Sequence, residues 1–150
     1  MIIGLANDHR GYKLKTKIKK YLCKKGYKVE DLGCLSTDSV DYPEYAFKLG
    51  TEIVEKRVDL GIAICGSGIG ISIACNKVKG ILWAKVNNTK EAKLSRIDND
   101  ANIIAINGSM PSFRAFDIID AYLKTEHKQS ERHDRRIQKI KDYEEGKYEC

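Results

Sequence analysis

Five short apolar runs alternate with longer stretches of helical periodicity along this chain, the pattern of an α/β domain built on a parallel sheet. The runs predict strands near 1–6, 28–33, 59–64, 81–86 and 102–107. The intervening stretches predict helices near 11–25, 43–56, 69–77, 89–97, 111–125 and 133–145. Gly26 sits where the first helix would hand over to a strand. Asp41-Tyr42-Pro43 opens the second helix, with proline tolerated in its first turn. The expected architecture is a Rossmann-like three-layer α/β/α sandwich with a five-stranded parallel sheet. All 150 residues fit one domain, without linker, repeat or low-complexity tract. The last helix lies beyond the fifth strand and holds its shape only if Ile137, Ile140 and Tyr143 pack on something. The domain's own surface or a partner subunit could supply that support, and a partner is the expectation adopted.

In an open parallel sheet, ligands bind outside the carboxyl ends of the strands. Three polar clusters fall at such ends: Asn7-Asp8-His9, Cys65 to Gly70, and Asn87-Asn88. The first two are the chemically loaded ones and meet at one crevice if strands one and three are neighbours. Cys65-Gly66-Ser67-Gly68-Ile69-Gly70 sets a thiol and a hydroxyl in a turn whose glycines expose backbone N–H groups before a helix. The first N–H groups of a helix lack partners, so such a turn attracts anions. The plain alternative is a glycine-rich β–α turn with an incidental buried cysteine.

The net charge of +6 raises the question of nucleic acid, but no recognition motif supports that reading. Lys13, Lys15, Lys17, Lys19, Lys20, Lys24, Lys25 and Lys28 recur among Leu14, Ile18, Tyr21 and Leu22, as on a solvated helix face. A basic balance suits an anionic small substrate equally well. No apolar run approaches a membrane span, and the N-terminus lacks the basic region and cleavage site of a signal peptide. Five widely spaced cysteines fit reduced thiols in the cytoplasm, with Cys23 and Cys75 read as helical core and Cys150 as uninformative. The three histidines are widely spaced without a carboxylate cluster, so neither metal nor organic cofactor is expected.

Several chemistries fail on spacing. A dinucleotide fingerprint requires glycine where Ile71 stands, and no acidic residue ends the fourth strand. A thiol phosphatase requires arginine at that same Ile71. Cys-His-Asp hydrolysis stays open, with His9 or His133 as base, though nothing in the sequence positions either. Proton transfer beside a carbonyl fits better. It needs a base, a group that moves a proton between two oxygens, and donors for an enediolate, for which Cys65, Ser67 and the N–H groups of 66–70 serve.

The chain resembles the B-type ribose-5-phosphate isomerases and their relatives, the galactose-6-phosphate isomerase subunits. The resemblance rests on the stretches 7–15, 41–43, 65–74, 76–80 and 99–102, and on Arg132-His133 followed by Arg136, in family order across nearly the whole length. It implies that Asp8 and His9 touch the sugar and its phosphate, that Cys65 is the base, and that Ser67 is the hydroxyl relay. Gly66, Gly68, Ile69 and Gly70 would hold the developing charge, Asn99 would support the oxyanion, and Arg132 and Arg136 would bind phosphate. It also implies a dimer or tetramer whose sites are completed by the neighbouring subunit, those arginines serving in trans. Each residue has a plainer competitor: Asp8 as helix cap, His9 as solvated loop, Arg132 and Arg136 as a charged face, Asn99 as a turn residue.

Two departures stand out. Asp98 occupies the place of the histidine that opens the furanose ring in the resembled family, and Ser109 the place of a phosphate-contacting arginine. An aspartate has an unperturbed pKa of about 3.9 against about 6.5 for histidine. Asp98 is retained as the ring-opening residue, either as a base or as a buried acid. The expected function is aldose–ketose isomerisation of ribose 5-phosphate and ribulose 5-phosphate. The alternatives are a six-carbon substrate such as galactose 6-phosphate, or a non-catalytic sugar-phosphate sensor.

Overall fold

The computed structural model describes residues 1–148, so Cys150 lies outside the described residues. The chain runs β1 (Ile2–Asn7), α1 (Tyr12–Lys24), β2 (Lys28–Asp31), α2 (Tyr42–Val54), β3 (Leu60–Cys65), α3 (Ile69–Cys75), β4 (Trp83–Lys85), α4 (Thr89–Ile97), β5 (Ile103–Asn107), α5 (Ser112–Leu123) and α6 (Glu131–Glu144). All five strands are parallel, in the order β2-β1-β3-β5-β4, as the expected fold requires.

Why these strands take central places is plain from their side chains. In β3 and β5, Ile62, Ile64, Ile104 and Ile106 pack into one apolar layer, which also takes Leu14 and Ile18 of α1 and Ile118 and Ile119 of α5. Their alternating neighbours Ala63, Cys65, Ile103 and Ala105 pack with Ala46 and Leu49 of α2 and Ile71 and Cys75 of α3. A strand's side chains alternate faces, so a run buried on both faces must be apolar throughout. The crossovers out of β1 and β4 carry their helices to the first layer, and those out of β2 and β3 to the second, as right-handed connections demand.

Two details differ from the sequence reading. Cys23 is exposed: the buried stripe of α1 is Leu14, Ile18 and Leu22, and the next position turns about 100° away from it. Lys15, read as part of a solvated face, is buried, its Nζ 2.7 Å from Asp31 Oδ1, with Lys19 Nζ 3.0 Å from Oδ2. Burial pushes the Asp31 carboxyl up, but the two lysine bonds outweigh it and leave the group below its usual range.

The final helix is anchored partly to its own domain. Ser130 Oγ caps it by accepting from the His133 amide, Glu144 Oε2 accepts the Gly80 N–H at 3.0 Å, and Ile137 is buried. Ile140 and Tyr143 remain exposed. Among the described residues no helix is long and apolar enough to cross a membrane.

Candidate functional site

Strands β1 and β3 are neighbours, paired from Ile3↔Leu60 to Asn7↔Ile64. The chain leaves β1 toward β2 on one side and leaves β3 toward β4 on the other, so the gap between their carboxyl ends is the switch point of the sheet. There a cavity of about 420 Å³ is lined by Asp8, His9, Arg10, Tyr42, Cys65, Gly66, Ser67 and Gly70, with Ser39 and Val40 at its side. A larger hollow of about 870 Å³ lies against α4 and α5, but among the described residues its lining has neither cysteine nor histidine.

Cys65 is the last residue of β3, and its carbonyl accepts the Gly108 N–H at 2.8 Å. Its side chain is buried yet faces the cavity, and the Gly68 N–H donates to Sγ at 3.2 Å. Gly68 has φ +75°, the left-handed conformation that glycine adopts without cost, and this bends the chain back over the sulfur. The next amide, Ile69 N–H, donates to Ser67 Oγ at 3.2 Å. Two of the loop's amides thus orient its own thiol and hydroxyl. Gly68 and Ile69 therefore act through their backbone, the Ile69 side chain being half exposed.

On the facing turn, Asp8 Oδ1 accepts the amides of Arg10 and Gly11, each at 3.0 Å. Asp8 thus ties down the turn that leads into α1, whose N-cap is Gly11 without a side-chain cap, and it also lines the cavity. The Val40 N–H donates to His9 Nδ1 at 3.2 Å. An amide can only donate, so Nδ1 carries no proton and the neutral ring presents Nε2–H as a donor.

Asp98, Asn99, Arg132 and Arg136 stand elsewhere. Asp98 ends α4, with Oδ1 3.3 Å and its carbonyl 3.1 Å from His133 Nδ1, while Arg132 Nη2 donates to His133 Nε2 at 2.8 Å. Asn99 lines a separate apolar cavity with Trp83, Ile140 and Glu144. Both residues precede β5, whereas Cys65 pairs with the last residue of β5, Asn107. Parallel strands run the same way, so the two groups lie at opposite ends of the strands. The third polar cluster also lies apart: Asn88 Oδ1 caps α4 by accepting the Glu91 amide.

Tyr42, Ser39, Val40 and Arg10 are cavity residues to which the sequence reading gave no role. The first three follow β2, whose neighbour in the sheet is β1, so the loop after β2 borders the crevice. A Cβ on Gly70 would lie 2.8 Å from Tyr42 Cζ, so the ring rests directly on the glycine turn.

A thiol, a hydroxyl and an imidazole around one hollow at the switch point of a parallel sheet fit the class of small α/β enzymes. Comparison with known proteins narrows that class: residues 3–140 match the family model described as Ribose/Galactose Isomerase, and the chain belongs to that family. It is 37% identical to ribose-5-phosphate isomerase B of Escherichia coli over 139 residues, 92% of this chain and 93% of that protein. It superposes on ribose-5-phosphate isomerase B of Clostridium thermocellum with a TM-score of 0.94 at 43% identity, covering 99% of this chain and 100% of the other. A crystal structure of the Mycoplasma genitalium ribose-5-phosphate isomerase B with bound ribulose 5-phosphate matches at 0.91 and 38% identity, with 96% of each chain covered.

Proposed function

We propose that this protein interconverts ribose 5-phosphate and ribulose 5-phosphate through an enediolate, with Cys65 as the base. The observation that carries the reading is the shared cavity of Cys65, Ser67, Asp8 and His9. As thiolate, Cys65 takes the C2 proton of the open-chain aldose, and the negative charge moves to O1. Ser67 relays the O2 hydroxyl proton to O1, and Cys65 returns its proton to C1, so no atom is gained or lost. His9 Nε2–H, Asp8 and the free amides of 66–70 hold the sugar oxygens. A reactive thiol suits the reducing cytoplasm.

Asn99, Arg132, Arg136 and the Asp98–His133 pair are assigned to the same reaction, supplied to each cavity by a second copy of the chain. The oxyanion support, the phosphate clamp and ring opening then come in trans. Exposed Ile69 and Ile73, four apart on one face of α3 beside the cavity, and exposed Ile140 and Tyr143 on α6 suit such an oligomer.

Following deuterium at C2 of labelled ribose 5-phosphate separates a catalyst from a sensor, and a panel of four-, five- and six-carbon phosphates ranks the substrates. Wash-out of the label with fastest turnover of the pentose is the expected result. Retention of the label with tight binding would make the protein a sensor, and faster hexose turnover would move the assignment to galactose 6-phosphate.

Asp98→Ala tests ring opening. Ribulose 5-phosphate cannot close a furanose ring, because its 5-hydroxyl is esterified. The variant is expected to lose about tenfold or more in the aldose-to-ketose direction and to keep most of the opposite rate. Asp98→His is expected to exceed the natural aldose rate; natural rates in both variants and both directions would remove Asp98 from the mechanism.

A further inference from the structure

We infer that Arg10 binds the phosphoryl end of the substrate from within the same protomer as Cys65, an inference that rests on the isomerase reading above. Among the described residues Arg10 is the one lysine or arginine that lines the Cys65 cavity. Arg10 is exposed, but its side chain does not leave the turn directly. It lies across Gly66, where an added Cβ would come 2.8 Å from Arg10 Cδ and 3.3 Å from Nη1. A side chain at position 66 would displace it. The Arg10 carbonyl in turn packs against Gly108, where a Cβ would sit 2.8 Å from that oxygen. Arg10 thus marks the point where the turns after β1, β3 and β5 meet.

Its charge is the second observation. Arg57, Arg96 and Arg135 each pair with a carboxylate, of Glu52, Asp100 and Glu131, Arg132 leans on His133, and Arg114 and Arg136, which like Arg10 lack such a partner among the described residues, do not line this cavity. Among the described residues Arg10 has no carboxylate within ion-pair distance. Asp8, two residues away, has committed Oδ1 to the amides of Arg10 and Gly11. The turn after β5 offers no cation in its place: Ser109 directs its hydroxyl to Asn107 Oδ1 at 2.7 Å. A planar guanidinium held at a cavity rim without an internal partner suits a dianionic phosphoryl group, which it can meet with two parallel N–H bonds.

The test uses Arg10→Met, which keeps the length of the stem and drops the charge, with Arg10→Lys beside it. Steady-state rates are measured on ribose 5-phosphate and on unphosphorylated ribose, and inorganic phosphate is titrated both as inhibitor and by calorimetry. Losing one charge-assisted pair is expected to raise KM for ribose 5-phosphate about 10- to 100-fold in Arg10→Met, with kcat changed less than about threefold. The inhibition constant of inorganic phosphate is expected to rise in parallel, kcat/KM on ribose to stay unchanged, and Arg10→Lys to recover part of the loss. Unchanged phosphate binding in Arg10→Met overturns the assignment, as does an equal loss on ribose and ribose 5-phosphate. A natural protein that turned over no sugar phosphate would defeat the isomerase reading alone, since the phosphate titration still judges Arg10.

Discussion

Cys65→Ala is expected to lower isomerisation of ribose 5-phosphate by about 10²–10⁴-fold, the range for removing a general base, with KM little changed. The substitution leaves the fold in place. The Cys65 backbone is held by the β3–β5 ladder and by the Gly108 amide, and alanine fits there without strain. What it removes is the one atom on which the Gly68 N–H closes and which faces His9 and Ser67 across the cavity. Loss of C2 deuterium exchange should parallel loss of turnover, because in the proposed mechanism the same sulfur performs both. Cys75→Ala is the matched control. That thiol is fully buried, its Sγ donates to the Ala46 carbonyl at 3.1 Å, and burial pushes its pKa far up. Removing it is expected to cost about 1–3 kcal/mol of stability and to leave the rate unchanged. Wild-type turnover by Cys65→Ala would dismiss the thiol as base.

The sheet and the glycine turn were legible in the sequence because each depends on local pattern. Runs such as Leu60–Cys65 and Ile103–Asn107 are apolar on both faces, which only a central strand tolerates. The neighbourhood of Asp8-His9 and Cys65 followed from the rule that ligands gather at strand ends. Long-range side-chain partners were not legible. Lys15 falls on the polar side of a periodicity count, and only the arrival of Asp31 from β2 makes its burial tolerable. Val40 reads as an ordinary loop residue, yet its amide sets the tautomer of His9, 31 positions away. The separation of Asp98 and Asn99 from Cys65 was implicit in the order of elements. Residues just before one parallel strand and at the close of its neighbour cannot share one end of the sheet. Motif matching alone passes over that geometry.

That separation leads to the most demanding expectation, recovery of activity from two inactive proteins. In the proposed mechanism Cys65→Ala lacks the base, and Asn99→Ala lacks a donor whose loss from an oxyanion site costs about 10²–10³-fold. The β3–β5 ladder runs from Gly61↔Ile103 to Cys65↔Asn107, and Asn99 lies four residues before its start. At about 3.3 Å per strand residue the two ends of that ladder are some 13 Å apart, with the approach to Asn99 added to it. On the proposed reading, with a sugar phosphate shorter than that separation, the working site joins Cys65 of one copy to Asn99 of another. In a two-fold dimer containing one protomer of each variant, one site carries both defects and the other carries neither. Co-expression with two distinct affinity tags and sequential purification isolates that mixed dimer. It is expected to show about half the wild-type rate per dimer, while random mixing yields about a quarter. Mixed dimers with both tags and no activity above the parent variants would return Asn99 to the role of a turn residue and confine the chemistry to a single protomer.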